Sequence, residues 1–155
     1  MTGTFSIRPA EAADAAALTR LALRSKASNG YDEAFMRACE AELTYTALTI
    51  AGGDTWVAED ADGRLLGFFD LRPQGDGAEV FAMFVEPGAK RSGLGRALWA
   101  KLEDCARRRG IARIGLDSDP NAVAFYSAMG MRITGSSPSG SIPGRFLPRM
   151  EKAIG

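Results

Sequence analysis

The sequence contains no histidine. This absence removes the commonest general base, the nucleophile pairs in which histidine activates serine or cysteine, and most zinc sites. Cysteine is also scarce, with Cys39 and Cys105 as its two occurrences, and both fall in helical patterns. We therefore expect buried free thiols in a reducing compartment rather than a disulfide or a nucleophile, and we expect no metal site.

The sequence also lacks an excess of charge of either sign, with 19 Lys and Arg residues against 19 Asp and Glu residues. This balance gives no electrostatic support to binding of nucleic acid or of an anionic membrane. No apolar run is long enough to cross a membrane, and the N-terminus has no signal-peptide core. We expect a single cytoplasmic domain over residues 1–155, with neither nucleic acid nor a membrane as partner.

The most informative stretch follows the apolar segment from Glu79 to Val85, which has the composition of a buried strand. After it, Leu94, Leu98 and Leu102 recur at helical spacing. The first amides of a helix have no intrahelical partner and attract anions. Glycine permits a close approach, and nearby cations favour phosphate. A phosphate or pyrophosphate site is therefore expected in the connecting loop, at Lys90, Arg91, Ser92, Gly93, Leu94, Gly95 and Arg96.

The loop is neither a Walker A motif nor a Rossmann loop, because Gly-Lys-Ser/Thr and the three-glycine spacing are missing. Its pattern Pro-x-x-Lys-x-x-Gly-x-Gly, from Pro87 to Gly95, resembles the acyl-CoA pyrophosphate loop of the GNAT-type N-acyltransferase superfamily. Lys90 stands where that pattern normally has Arg or Gln. The segment from Ala122 to Met131 resembles the family's Ala-x-x-Leu/Phe-Tyr-x-x-x-Gly-Phe landmark. The resemblance covers most of the chain from Phe5 onward, is specific from Glu79 to Met131 and is loose before Glu79.

The order of predicted elements agrees with this resemblance. We expect β-α-α-β-β-β-α-β-α-β-β, an α/β fold with four helices and a mixed, mostly antiparallel, twisted sheet of about seven strands. The second helix is predicted to run from Asp32 to Thr46. The last two strands are predicted from Met131 to Thr134 and from Arg149 to Ala153, with a loop of Ser, Gly and Pro between them.

The resemblance implies roles for particular residues. The backbone of Met83, Phe84 and Val85 would bind the pantetheine arm, and Tyr126 would protonate the departing CoA thiolate. Glu79 is our choice of base, acting directly or through water, with Glu86 as the competing carboxylate. A packing role for Tyr126 and a solvated strand-edge role for Glu79 stay open. At the family's CoA-contacting Asn position this chain has Asp119, and Asn121 is the other candidate for that contact.

The acceptor side is the least specified. The family often borders it with its first two helices and its last loop, where Lys26, Tyr31, Ser141 and Arg145 are polar. Arg145 favours an acceptor with a carboxylate or phosphate, unless it is solvated or serves a homodimer contact. The resemblance implies transfer from acetyl-CoA to a primary amine of a small molecule or protein. The alternatives are a CoA-binding module without turnover and a nucleotide-binding enzyme of another fold.

Overall fold

The computed structural model describes residues 4–90 and 92–155. Seven strands form one sheet in the spatial order β1-β2-β3-β4-β5-β7-β6. The pair β4 and β5 is parallel, and the other neighbouring pairs are antiparallel. The strands are β1 Ser6–Pro9, β2 Asp54–Glu59, β3 Leu65–Gln74, β4 Gly77–Val85, β5 Arg113–Asp117, β6 Arg132–Pro138 and β7 Phe146–Ala153.

Five helices accompany the sheet in the described part of the chain, and the expected fold class is confirmed. They are α1 Ala15–Ala27, α2 Glu33–Leu43, α3 Ala47–Ala51, α4 Leu94–Arg108 and α5 Val123–Ala128. Short 3₁₀ turns cover Ala12–Asp14, Pro87–Ala89 and Pro120–Ala122. None of these helices is both long and apolar enough to cross a membrane.

Helix α3 was not predicted, and the prediction that α2 continues to Thr46 was wrong. Thr46 instead caps α3, since its hydroxyl accepts a hydrogen bond from the backbone N–H of Thr49 at 3.2 Å. The Thr49 hydroxyl in turn accepts from the backbone N–H of Thr46 at 2.8 Å. This reciprocal cap satisfies amides that would otherwise be unpaired and starts a new helix after a short break.

The last two strands are longer than predicted, and the loop between them is correspondingly shorter. Pairing continues outward to Pro138 opposite Phe146, so β6 and β7 take in residues that the sequence suggested were loop. Pro148 is tolerated inside β7 because β5 has already ended at that level, and the carbonyl of Pro148 accepts from Ser118 N–H at 2.8 Å.

The sheet carries a helical layer on each face. Leu94, Leu98 and Leu102 of α4 pack with α5 and one face of the sheet. Leu18 and Leu21 of α1 pack with α2, α3 and the opposite face. Both cysteines are buried free thiols within these layers.

Strands β4 and β5 are paired over a short length only. Their register contains Ala78 opposite Ile114 and Glu79 opposite Gly115, although β4 continues to Val85. On its other edge β4 remains paired with β3, with an irregularity that leaves Phe81 without a partner. Such a bulge bends the strand and increases its twist. Beyond Glu79 the two strands diverge and open a wedge-shaped cleft.

Candidate active site

A cavity of about 1130 Å³ occupies this cleft. One end is lined by Lys90, Gly93 and Arg96, the side by β4 from Val80 to Val85, and the other end by Glu79. A smaller cavity of about 420 Å³ shares Glu79 with it but contacts none of the loop at the start of α4. The larger cavity is therefore the one that joins a helix N-terminus to the cleft.

The N-terminus of α4 is the place where the sequence predicts anion binding. Gly93 is its N-cap residue, exposed and left-handed with φ of 84°, and among residues 4–90 and 92–155 no side chain caps the helix. The first intrahelical bond runs from Ala97 N–H to the Gly93 carbonyl at 3.1 Å. The amides of Leu94, Gly95 and Arg96 therefore precede the helical ladder and are available to a ligand.

The side chains of this loop differ in what they offer. Lys90 and Arg96 are exposed at the cavity, with the Lys90 ammonium 3.4 Å from the Ser28 hydroxyl. The Ser92 hydroxyl donates to the Ala89 carbonyl and closes the turn. The Leu94 side chain is buried in the core, so only its backbone can meet a ligand. The predicted contribution of Arg91 lies outside the described residues.

The predicted strand segment lies along the cavity. Met83, Phe84 and Val85 line it, and each is paired with β3 on the edge away from β5. Because the β5 pairing has ended, the backbone groups that face the cleft are not taken up by that strand. This edge can bind an extended chain containing amides through main-chain hydrogen bonds.

Tyr126 of α5 reaches the same cavity from the helical layer. Its side chain is buried and packs against Trp99 at 5.7 Å and Phe125 at 5.4 Å between ring centroids. The Tyr126 hydroxyl has no hydrogen-bond partner within residues 4–90 and 92–155. Burial, assisted by the negative charge of Asp119, raises the pKa of the Tyr126 hydroxyl above its usual range. The hydroxyl is therefore protonated at neutral pH and free to donate.

Glu79 lines the cavity but is not alone there. Both of its carboxylate oxygens accept from the Arg149 guanidinium of β7, one of them from Nη1 at 2.8 Å. Arg149 reaches it across β5 at Gly115, where a Cβ would lie 2.9 Å from the Arg149 Cζ. The sequence contained this signal, a glycine inside a strand, but the pairing partner was not foreseen.

Glu86, the competing carboxylate, lies outside the residues that line the cavity. It forms an ion pair with Arg24 of α1, through hydrogen bonds of 3.0 and 2.7 Å. The hydrogen bond from Arg24 holds the pKa of the Glu86 carboxyl below its usual value. Its geometry suits attachment of α1 to the loop after β4 better than proton abstraction in the cleft.

Four of the polar residues singled out in the sequence converge on Asp119. The Asp119 carboxylate accepts from Lys26 Nζ at 2.7 Å, Tyr31 Oη at 2.9 Å and the backbone N–H of Asn121 at 2.8 Å. Arg145 joins through the Tyr31 hydroxyl at 2.8 Å. Burial raises the pKa of Asp119, but the bonds from Lys26 and Asn121 outweigh it and hold the pKa at about 2.

Ser141 is not part of this convergence. Its hydroxyl is buried without a hydrogen-bond partner in the described structure, and its backbone N–H donates to the Ser139 hydroxyl at 3.2 Å. From the same loop region, Pro138, Gly140 and Leu147 line the cavity instead. Glu42 and the exposed Phe81 also line it, and no sequence motif pointed to either.

No group of three or more His, Cys, Asp or Glu side chains in the described ranges is arranged to hold a metal ion.

The Acetyltransferase (GNAT) family model matches residues 16–131. The chain belongs to this family. The match includes the α4 loop, the divergent strand β4 and Tyr126.

Individual members of the family share about a third of their aligned residues with this chain. The mycothiol acetyltransferase of Beutenbergia cavernae is 32% identical over 122 residues, which are 71% of this chain and 39% of that protein. The peptidyl-lysine N-acetyltransferase YiaC of Escherichia coli is 34% identical over 84 residues, 54% of this chain and 53% of that protein. The chain thus spans about half or less of the length of the curated relatives it matches.

Solved structures extend the likeness to the whole fold. The PaiA N-acetyltransferase of Thermoplasma acidophilum, in complex with coenzyme A, superposes with a TM-score of 0.80 at 21% identity, covering 97% of this chain and 99% of that one. An N-acetyltransferase of Kribbella flavida gives 0.68 at 26% identity, covering 97% and 98%. The seven-stranded architecture is therefore that of the family.

Proposed function

We propose that this chain is an N-acetyltransferase that moves the acetyl group of acetyl-CoA to a primary amine by direct attack on the thioester. One observation carries the proposal. A single cavity runs from the free N-terminus of α4, along the open edge of β4, to the Tyr126 hydroxyl. The pyrophosphate binds the amides of Leu94, Gly95 and Arg96, with Lys90 and Arg96 adding charge.

The pantetheine arm lies beside Met83, Phe84 and Val85 and hydrogen-bonds to the unpaired edge of β4. In the transfer step, the amine nitrogen bonds to the acetyl carbonyl carbon, and a β4 backbone N–H stabilises the developing oxyanion. The carbon–sulfur bond then breaks. Tyr126 gives its proton to the leaving thiolate, and Glu79 receives the proton of the amine through water. The products are the acetamide and CoA with a free thiol.

The acceptor enters at the end of the cavity opposite the pyrophosphate. Glu79 lines the cavity, as do Gly140 of the loop from β6 to β7 and Leu147 at the start of β7. Of the residues predicted for acceptor binding, Lys26 lines the cavity, and Tyr31 and Arg145 are connected to it through Asp119. Ser141 is not among the residues that line the cavity. Both a small amine and the side chain of a protein lysine are acceptors of a suitable chemical class, and we favour a small molecule.

Thiol release tests the reaction directly. Acetyl-CoA is incubated with the protein and a panel of amines, and free CoA is measured with 5,5′-dithiobis(2-nitrobenzoate). We expect amine-dependent release above the reaction without amine, which also corrects for Cys39 and Cys105. Acetyl-CoA binding without release for any amine would favour the alternative, a CoA-binding module. Thermal stabilisation by NAD or ATP and none by acetyl-CoA would favour a different nucleotide-binding protein.

The phosphate site has its own matched pair of variants. Gly93→Asp places a carboxylate at the start of α4, and we expect loss of acetyl-CoA binding in calorimetry through charge repulsion. Gly88→Asp puts the same charge in the same loop, at an exposed glycine without a left-handed φ and with open space around its Cβ position. Equal affinities in the two variants would exclude the α4 N-terminus as the pyrophosphate site.

A further inference from the structure

The Asp119 carboxylate connects segments that are far apart in the sequence. Lys26 lies in the last turn of α1, Tyr31 lies in the connection from α1 to α2, and Asn121 lies in the turn before α5. All three donate to Asp119. Through Tyr31, the network continues to Arg145 in the loop between β6 and β7. We call Lys26, Tyr31, Asp119, Asn121 and Arg145 the Asp119 bridge.

Apart from the exposed Asn121, the bridge is largely shielded from solvent, and its polar groups are bonded to one another. The side chains of Lys26 and Asp119 are each 15% exposed, and that of Arg145 is 19% exposed. Tyr31 stacks on Phe35 with ring centroids 3.9 Å apart. Lys26 lies 5.4 Å from the Tyr31 centroid, and Arg145 lies 4.8 Å from the Phe35 centroid. Both cations are thus engaged by an anion or hydroxyl and by an aromatic ring.

The bridge spans the cleft where β4 and β5 have separated. Helix α1 packs on the face of the sheet that includes Phe68 of β3 and Ala82 of β4. Asp119 follows the end of β5 at Asp117. The 2.7 Å contact between Lys26 and Asp119 therefore joins the β4 side of the wedge to the β5 side. Lys26, Asp119 and Asn121 also line the cavity.

We propose that Asp119 is a positioning residue whose bridge couples the α1–α2 connection to the β6–β7 loop. These two segments, which border the acceptor side, are thereby held in a fixed position relative to each other. The part of this inference that concerns the acceptor site rests on the proposed acetyl transfer. Lys26, Tyr31 and Arg145 then shape the acceptor site through Asp119, since their polar groups are already bonded to one another. Asp119 itself need not contact CoA, although it occupies a position where Asn is common in the family.

Amide hydrogen exchange tests the coupling in the free protein. Ser139 N–H is bonded to the Arg145 carbonyl at 2.7 Å, and the amides of Ser28, Asn29 and Gly30 are bonded within the end of α1. We expect Lys26→Met to accelerate exchange at Ser139, and Arg145→Met to accelerate exchange at Ser28 to Gly30, each about tenfold. Asp119→Asn accelerates amide exchange in both segments, because it removes the negative charge on which Lys26 and Arg145 converge.

Matched controls lie on the same elements. Arg20→Met changes an exposed cation of α1, and Arg132→Met changes an exposed cation of β6. Neither belongs to the bridge, and neither accelerates exchange in the distant segment. Lys26→Arg keeps the ion pair, so it retains the slow exchange of Ser139. A bridge that does not couple the segments would instead show each variant affecting only its own side, and that result overturns the proposal.

Kinetics separate the role of Asp119 from a direct CoA contact. With an amine identified from the panel, Asp119→Asn raises KM for the amine several-fold while the Kd for acetyl-CoA is unchanged. A loss confined to acetyl-CoA affinity would instead assign Asp119 to the cofactor. Coupled exchange in a protein that acetylates no amine supports the bridge and refutes the acetyltransferase. Uncoupled exchange in an active enzyme refutes the bridge alone.

Discussion

A Cβ atom added to Gly95 would lie 3.0 Å from Cε1 of Phe125, so α4 and α5 meet at a glycine. The sequence pattern suggested that this glycine leaves room for a phosphate ligand. In the structure, it also leaves room for the aromatic ring that precedes Tyr126 in the chain. The predicted phosphate loop is thus packed closely against the residue that precedes the proposed general acid.

This contact predicts a specific response to Gly95→Ala. The added methyl group forces the Phe125 ring to move, and we expect a loss of about 1–3 kcal/mol in the free energy of unfolding. Trp99 packs edge-on against Phe125 with centroids 6.4 Å apart, so its fluorescence reports the displacement in a Trp56→Phe background. Turnover falls as Tyr126 shifts with its neighbour.

Gly93→Ala is the control for Gly95→Ala. Its Cβ would meet open space, but its φ of 84° is left-handed and costs a side chain about 1–2 kcal/mol. The two variants are therefore similarly destabilised, and only Gly95→Ala changes the Trp99 emission. Unchanged emission in Gly95→Ala would show that Phe125 is not constrained by this contact.

Tyr126→Phe is expected to lower kcat about 100-fold and to leave the Kd for acetyl-CoA unchanged, because it removes a proton donor but little contact area. Tyr45→Phe is the matched control, since the Tyr45 hydroxyl donates to the buried Asp70 at 2.9 Å. That variant loses about 1–3 kcal/mol of stability and keeps its turnover. Parallel losses of kcat and acetyl-CoA affinity in Tyr126→Phe would make Tyr126 a binding residue.

The raised pKa of Tyr126 predicts the alkaline side of the pH profile. A general acid works in its protonated form, and the pKa of this hydroxyl lies above the usual value of 10.0. Deprotonation of Tyr126 therefore does not reduce kcat below pH ~10. Profiles of kcat for wild type and Tyr126→Phe are expected to have the same shape between pH 8 and 10. A decline between pH 8 and 10 that is present only in the wild type would show that the pKa of Tyr126 is not raised.

Glu79→Gln tests the proposed base. The change keeps the shape of the side chain but removes proton acceptance through water, and we expect turnover to fall about 100-fold. Glu151→Gln is the comparison, because Glu151 also pairs with Arg149, at 3.6 Å, and does not line the larger cavity. Similar losses in both variants would mean that Glu79 matters through its anchoring of Arg149 rather than as a base.

Asp119 predicts a component of acid sensitivity. Its pKa is lowered from 3.8 to about 2 in the folded protein, so the folded state binds the proton less tightly than the unfolded state. The stabilising contribution of the Asp119 carboxylate is complete above the unfolded-state pKa of 3.8. It is lost as the pH falls from 3.8 to about 2. Chemical unfolding at several pH values between 5 and 2 is expected to give a shallower decline for Asp119→Asn. Equal slopes would show that Asp119 titrates alike in both states.

Local chemistry predicted several features because their causes lie close together in the chain. The order of strands and long helices follows from apolar spacing, and Gly110 and Gly130 follow helices with φ of 69° and 95°, as their placement indicated. The loop before α4 was recognisable because the amides, the glycines and the cations occur within a few residues. Helix α3 was missed, since a Thr46–Thr49 cap in a short polar stretch is a weak signal beside the longer periodic pattern.

The sequence by itself thus determined the order of the strands and long helices and the position of Tyr126 on a helix, and it predicted an anion-binding loop before α4. Only the tertiary structure decided that Glu79 is paired with Arg149, that Phe81 is bulged, and that distant cations meet at Asp119. The physical reason is that these contacts depend on strand register and on the approach of elements about 70 to 90 residues apart. Side chains so distant in the chain carry no mutual signal until the sheet brings them together.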